Sequence, residues 1–472
     1  MSDARDDPAR MHTFGPPTAA LADEVIGYTL ERFAMNPPPL DGPRTAAELA
    51  ADAGPTVTAA GLGGAEALRL WVDVLAPACI SQDHPRALSF VPSAPTEASA
   101  LFDLIVGASS IYGGSWLEGA GAVHAENEAL RWIADLAGFG PGAGGCFVSG
   151  GSAANLSALV AARHAAATAR TAAGLERPAR WRIAASAEAH SSVASTARVM
   201  DIDVIDAPVD DRGRLTGAAL AGRLDELSSS GDELDGLFAV VATGGTTNAG
   251  MIDDLAGVAD VAAGRGLWFH IDGAYGGAAL AAPSTRDLFA GIERADSLVV
   301  DPHKWLFTPF DCAALLYRQP ELARAAHTQH AAYLDVLHDR DPGAVEWNPS
   351  DYAYHLSRRA RGLPFWFSLA THGTDAYRDA VEISLDVTRR GAELIDRLDH
   401  VELLMEPMLS VLLFRRVGWT PDDYRVWSDR VLAEGLTLTV PTTWRGETVL
   451  RFCIVNPRTT VDDLAMILDA LR

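Results

Sequence analysis

Residues 295–317 read ADSLVVDPHKWLFTPFDCAALLY, and a lysine stands in the middle of them where none is expected. Ser297–Val300 is a short apolar run of the kind that forms a buried strand, and Lys304 follows it beside Trp305, Leu306 and Phe307. Lysine is strongly hydrated and rarely lies inside a protein unless something compensates it. An apolar, water-poor setting disfavours the ammonium, lowers the lysine pKa and frees an amine able to form a Schiff base with an aldehyde.

Outward from this stretch the same arrangement repeats. Apolar runs at 146–149, 182–186, 203–207, 237–243, 267–271 and 297–300 alternate with longer helical segments such as 153–173 and 255–266. That alternation predicts an α/β fold, a mostly parallel central sheet with helices on both faces. Ligand groups in such sheets gather beyond the carboxyl ends of the strands. Here "CFVS" runs into "GGSAANL", "RIAAS" into "AEAH", "AVVAT" into "GGTTN", "LWFHI" into "DGAYGG" and "SLVV" into "DPHKW". A helix is expected at 285–295, completing one βαβ step between Asp272 and Lys304 and bringing both to one sheet edge.

The last hundred residues change character. A helix at 373–398 leads to strands at 409–416, 436–440 and 448–455 and a closing helix at 460–471. The expected organisation is a helical N-terminal segment over 1–85, a large α/β domain over 86–370 and a small C-terminal α+β domain over 371–472.

The chain has 472 residues, 48% hydrophobic, enough for a large core. Its net charge of −24 argues against a nucleic-acid partner, which needs a basic face. No apolar run approaches the roughly 20 residues that cross a bilayer, and "MSDARDDPARMHTFGPP" lacks the pattern of a secretory signal. Cys79, Cys146, Cys312 and Cys453 are far apart and form no CxxC, so neither a disulfide framework nor a metal site is expected, and a reducing cytoplasm fits.

In "SGGSAANL" (149–156), Gly150 and Gly151 allow a tight turn and Ser152 can cap the helix that follows. Free N–H groups at such a start suit a phosphate. The stretch is neither a Walker A loop nor a nucleophile elbow, and the GxGxxG spelled by Gly140–Gly145 follows a helix and reads as a loop. Asp272, ending an apolar strand, needs a partner or it neutralises. Taken singly, each motif has a plainer reading: a Gly-rich turn, an Asp–Lys ion pair, a structural histidine at His190. Together, a phosphate cradle, a carboxylate for a pyridinium nitrogen, an imidazole for a ring face and a Schiff-base lysine describe pyridoxal phosphate.

"AHSSV" (189–193), "HIDGAYGG" (270–277), "ADSLVVDPHKWL" (295–306) and "VLRFCIVNP" (449–457) resemble the group II pyridoxal-phosphate-dependent amino-acid decarboxylases, especially their aromatic-L-amino-acid branch. The resemblance runs from about residue 80 to the C-terminus. It implies a fold-type-I transferase-like architecture, conversion of an L-amino acid to its amine and CO₂, and a homodimer with its sites at the interface. By position it makes Lys304 the Schiff-base lysine, Asp272 the partner of the pyridine nitrogen and His190 the stacked ring. It puts Gly151 and Ser152 on the phosphate, Thr246 or Thr247 near the ring oxygen, and Ala274 and His303 along the pocket wall.

The same resemblance places Tyr333, in "HAAYLDVL" (330–337), where a loop tyrosine helps to reprotonate the substrate carbon. Tyr333 and His190 together favour decarboxylation over aldehyde synthesis. Asp301 departs from the asparagine of animal relatives, and a second anion there would repel the phosphate. The substrate pocket is expected from Val91 (where phenylalanine is usual), Pro92, Tyr112, Trp116, Phe310 and Ser357. An aromatic substrate is expected, with an aliphatic or acidic one, or an aldehyde-synthase or aminotransferase reaction, as alternatives.

Overall fold

A computed structural model describes residues 10–230, 234–332, 334, 337 and 347–472. Seven strands form the main sheet: β1 (Gly144–Val148), β2 (Arg182–Ser186), β3 (Asp203–Ala207), β4 (Leu237–Thr243), β5 (Trp268–Asp272), β6 (Ser297–Val300) and β7 (Ala313–Tyr317). Their order is β1-β7-β6-β5-β4-β2-β3. Strands β2 to β6 pair in parallel, while β7 runs antiparallel to both its neighbours. This is the mostly parallel sheet the sequence predicts, with one reversed strand inserted near its edge.

Both faces are covered, which is why the strands read as apolar runs rather than alternating ones. Ala239 and Val241 of β4 face the helices Gly151–Ala172 and Ser191–Met200, with Val299 and Leu315 on the same side. Val240 and Ala242 face the opposite layer, which includes the helices Gly217–Ser229 and Leu255–Arg265. Period-two geometry thus splits each strand between two cores.

A second, antiparallel sheet follows, with β8 (Val401–Leu403), β9 (Val411–Arg416), β10 (Thr442–Trp444) and β11 (Glu447–Cys453) in the order β10-β11-β9-β8. The helices Thr374–Ile395, Pro421–Ala433 and Val461–Asp469 bury Ile395, Val431 and Leu464 against Leu412, Phe414, Leu450 and Phe452. Reciprocal capping boxes, Thr420 with Asp423 and Thr460 with Asp463, start two of these helices. Leu88 joins this layer: its N–H donates to the Leu438 carbonyl (3.0 Å) and its own carbonyl accepts from Cys453 N–H (2.8 Å).

Two expected elements differ. The helix foreseen at 285–295 is two 3₁₀ turns, Pro283–Phe289 and Ile292–Arg294. Gly291, at φ 98°, breaks the segment between them in a conformation other residues avoid. "LTLTV" (436–440) is not a ladder strand; it makes an isolated bridge from Leu438 to Ala87, and the following Thr442–Trp444 pairs instead. Thr437 Oγ1 donates to the Arg86 carbonyl (2.8 Å), so this β-prone run serves the 86–90 segment rather than the sheet.

N-terminal to the sheets lie the helices Pro16–Ala34, Ala46–Ala53 and Gly64–Leu70, the first two with no buried residue. Arg32 ties the first of them to Asp83 through two bonds of 2.8 and 3.1 Å. Among the described residues, no helix is long and apolar enough to cross a membrane.

Candidate active site

The carboxyl ends of β1, β2, β4, β5 and β6 open on one cavity of about 630 Å³. Its walls include Gly151 and Ser152 after β1, His190 after β2, Thr247 after β4, Asp272 and Ala274 at β5, and Asp301, His303 and Lys304 after β6. Five separated sequence motifs therefore meet where strand geometry places them. Register fixes the closest of these approaches: Asp272 pairs with Val299, so Lys304 emerges from the strand next to Asp272.

Lys304 sits in the four-residue helix Pro302–Trp305 with its side chain 22% exposed. Its Nζ lies 3.0 Å from Asp301 Oδ2. Here the sequence-based expectation of a lowered lysine pKa is overturned. Burial does oppose the charge, but the carboxylates of Asp301 and Asp272 and the hydrogen bond to Asp301 outweigh it, holding the ammonium above the ordinary lysine range. The pocket around Lys304 is acidic rather than merely apolar.

Asp301 is 1% exposed. Its Oδ2 also accepts Gly151 N–H (3.2 Å), and His303 Nε2 lies 3.6 Å away. Its Oδ1 is buried with no hydrogen-bond partner among the described residues. His303 Nδ1 accepts Cys312 N–H (3.1 Å) and lies 2.8 Å from the Cys312 carbonyl oxygen, and its ring packs on Phe310 with centroids 4.9 Å apart. Burial lowers its pKa despite the facing Asp301 carboxylate.

Asp272 is buried, its two oxygens held by Ala274 N–H (3.1 Å) and Asn155 Nδ2 (2.8 Å). His190 is the N-cap of Ser191–Met200: its Nδ1 accepts Ser192 N–H (3.2 Å) and lies 2.8 Å from Ser192 Oγ. Thr247 lines the cavity, whereas Thr246 turns its hydroxyl back to accept Met251 N–H (3.0 Å).

Of the expected substrate-pocket residues, Phe310 lines the cavity. Val91, Pro92, Tyr112, Trp116 and Ser357 lie elsewhere in the chain. Val91 packs on the main core, Pro92 is buried, and Tyr112 Oη donates to the Leu356 carbonyl (2.9 Å). Trp116 begins the helix Trp116–Leu136, and Ser357 is exposed. Tyr333 lies outside the described residues. Tyr354, Leu156 and Val199 line the cavity without having been singled out in the sequence. Nor were Asn155 and His270. The only sequence signal for His270 is its place two residues before Asp272, on the same face of β5.

These residues fit pyridoxal phosphate. The start of the 22-residue helix Gly151–Ala172 already holds an anion, since Gly151 N–H donates to the Asp301 carboxylate. A Cβ on Gly151 would come within 3.1 Å of both Ala274 Cβ and Asp301 Oδ2, so glycine keeps that cradle from being crowded. Ser149, Ser152 and Thr247 add hydroxyl groups to the same wall.

Comparison with known proteins agrees. The Pyridoxal-dependent decarboxylase conserved domain matches residues 69–417. An aromatic-L-amino-acid decarboxylase of Bacillus atrophaeus is 29% identical over 400 residues, covering 83% of this chain and 81% of its own length. An L-2,4-diaminobutyrate decarboxylase of Acinetobacter baumannii is 26% identical over 433 residues, with 86% and 83% covered. The solved structure of Oryza sativa TDC with PLP and tryptamine superposes with a TM-score of 0.85 over 97% of this chain and 99% of that one. At 24% identity, that last likeness speaks for the fold alone.

Proposed function

The chain belongs to the pyridoxal-dependent decarboxylase family, and from that premise we propose that it removes CO₂ from an aromatic L-amino acid at the cavity around Lys304. The observation that carries the reading is the convergence of Lys304, Asp272, His190 and the Gly151–Ser152 helix start on one cavity. Bound there, pyridoxal phosphate supplies an aldehyde carbon for the amine and an electron sink for the bond that loses CO₂.

The chain's own groups have distinct tasks. The Ser152 hydroxyl and, once it leaves the Asp301 carboxylate, Gly151 N–H would bind the phosphate at the positive end of Gly151–Ala172. Thr247, with Thr246 shaping the turn beside it, and Ala274 orient the ring. Asp272, buried and held by Ala274 N–H and Asn155 Nδ2, would face the ring nitrogen and keep a proton on it. His190 covers a ring face and presents a proton from Nε2. Lys304 offers its Nζ amine once its proton passes to a neighbouring base, with Asp301 beside it at 3.0 Å. His303 and Phe310 close the wall next to it and exclude water. Tyr333 is the second proton donor in this proposal.

Curated relatives include both aromatic and diaminobutyrate decarboxylases, so the substrate class is read from the cavity. Phe310 and Tyr354 face it, 57% and 54% exposed, and no arginine lines it among the described residues. Aromatic rings would cover those faces, whereas an acidic side chain would find no cation of its own. The exposed Phe90, Leu101, Leu104, Ile105 and Leu117 support a homodimer in which a second copy completes the pocket. Val91, Pro92, Tyr112, Trp116 and Ser357 keep their proposed place in that completed pocket. Four free thiols fit a cytoplasmic setting.

The test is to incubate holoprotein with L-tryptophan, L-tyrosine, L-phenylalanine, L-2,4-diaminobutyrate and L-glutamate and to follow CO₂, amine and hydrogen peroxide. CO₂ and amine from the aromatic set support the proposal. Turnover of diaminobutyrate or glutamate alone overturns the substrate class, and peroxide with aldehyde overturns simple decarboxylation.

A further inference from the structure

Asn155 is fully buried one turn inside the helix Gly151–Ala172, and three polar groups converge on its amide. Its Nδ2 donates to Asp272 Oδ2 (2.8 Å) and to Ser192 Oγ (2.9 Å). Its Oδ1 accepts from His270 Nε2 (2.9 Å). Chemistry fixes the amide in this orientation, because the opposite one would press Oδ1 against the Asp272 carboxylate.

The rest of the chain of bonds then has a single polarity. Oδ1 only accepts, so His270 must carry its proton on Nε2. Burial pushes the His270 pKa down to about 4, although the Asp272 carboxylate works against it, so the ring is neutral near pH 7. Its Nδ1 is therefore an acceptor and takes the hydrogen of Ser297 Oγ (2.7 Å), which in turn accepts from Trp268 Nε1 (2.8 Å). At the other end, Ser192 Oγ has accepted from Asn155 and gives its own hydrogen to His190 Nδ1 (2.8 Å). That nitrogen also receives Ser192 N–H (3.2 Å), so the proton of a neutral His190 ring belongs on Nε2.

We propose that Asn155 is a positioning residue that sets, through one amide, both the carboxylate of Asp272 and the tautomer of His270, while its Nδ2 also holds the Ser192 hydroxyl beside His190. The inference rests on the functional reading above, in which Asp272 and His190 act on the cofactor. Asp272 ends β5 and His190 follows β2, two strands that are not adjacent in the sheet. One buried side chain on a third element joins them, so neither can reorient without disturbing the other. Hydrogen bonds in such a chain polarise one another, which strengthens both ends together.

The experiment uses the full chain with ¹⁵N-labelled histidine in three forms: unaltered, Asn155→Leu and Ser192→Ala. Side-chain ¹⁵N shifts of the cofactor-free protein report the tautomers of His270 and His190, and absorbance titration reports the dissociation constant of pyridoxal phosphate. The unaltered protein should show both rings wholly as the Nε2–H form. Ser192→Ala should leave both tautomers in place, because its backbone N–H still donates to His190 Nδ1, and should leave cofactor affinity within about twofold. Asn155→Leu should mix the His270 tautomers and also weaken the cofactor by about tenfold or more, as loss of a hydrogen bond to a buried charge requires.

A single His270 tautomer in Asn155→Leu, or unchanged cofactor affinity in that variant, would overturn the proposal. Should Asn155→Leu fail to fold, Asn155→Ser takes its place with the same expectations, since its hydroxyl is too short to reach both partners. Failure of the unaltered protein to bind pyridoxal phosphate would sink the functional reading instead, while the tautomer measurement still judges the junction between Asn155 and His270.

Discussion

Replacing Glu126 by leucine should nearly unfold this protein, although Glu126 touches nothing in the cavity. Glu126 lies on the helix Trp116–Leu136 at 1% exposure and grips Arg358, whose side chain is 0% exposed. The pair is bidentate, Nη1 to Oε2 at 2.7 Å and Nη2 to Oε1 at 2.9 Å. Arg358 also donates to the carbonyls of Gly113 and Phe147, and Glu126 Oε1 accepts Gly362 N–H at 2.8 Å. The clamp thus ties β1 to the segment that carries Tyr354 to the cavity wall. Removing one member of a buried pair costs about 3–5 kcal/mol, because the other charge is left without compensation. The orphaned Gly362 N–H adds about 1–3 kcal/mol. Together these rival the whole stability of an ordinary domain, about 5–15 kcal/mol. The double variant Glu126→Leu, Arg358→Met removes both charges at once and should be more stable than Glu126→Leu alone by about 3 kcal/mol or more. Urea unfolding of the cofactor-free protein, followed by tryptophan fluorescence, reads both. A loss below about 1 kcal/mol for Glu126→Leu, or a double variant weaker than the single, would refute the reasoning.

Asp301→Asn should move the pH at which Lys304 captures pyridoxal phosphate downward, because it removes the nearest anion holding the ammonium; an unchanged or raised onset in a stopped-flow pH series would contradict that account. His84 is buried, its pKa pushed down to about 4 by burial and by Arg86, so the unfolded chain takes up its proton first as pH falls below about 6.5. Stability from that imidazole is present above about 6.5 and lost toward 4, roughly 2 kcal/mol of it by pH 5. His84→Asn, which keeps an acceptor for Arg86 N–H (2.9 Å), should lower proton uptake on unfolding by about one in that window, measured from the slope of stability against pH. Phe310→Ala should reduce kcat/KM for an aromatic substrate about 2- to 10-fold, as loss of one ring contact implies, and leave an aliphatic one unaffected. Lys304→Ala should abolish amine release and, by leaving the buried Asp301 carboxylate without its cation, lower the melting temperature of the cofactor-free protein.

Strands β1 to β6 were legible because each is a short, largely apolar run, and the crowding of reactive residues was legible because five of them, all but β3, are followed by residues that an ordinary loop does not need. Strand β7 was not assigned, since "AALLY" is apolar throughout and carries no mark of its reversed direction. Its direction is settled by pairing with β6 and β1, which no local pattern encodes. Asp301 shows the same limit within the site. Its place three residues before Lys304 was visible, but that the two would pair, and so raise rather than lower the lysine pKa, depends on how the short helix turns. Asn155 was quoted within its motif and passed over, because an asparagine on a helix has no distinctive pattern until His270, Ser192 and Asp272 surround it.

The inserted β7 also has a consequence for the order in which the protein can be made. Strand β1 has a single partner in the sheet, and that partner begins at Ala313, well after β1 ends at Val148. A ribosome adding about 5–20 residues per second takes roughly 10–30 seconds to cover that distance. Throughout that interval β1 is an orphan strand, and the Gly150–Gly151 turn that follows it has no finished sheet to stand on. The emerging chain is protected by the brevity of β1, five residues starting with two glycines, which makes a poor template for another strand. When β7 arrives it completes the sheet by pairing with both β1 and β6, the strands that lead into Gly151 and Lys304.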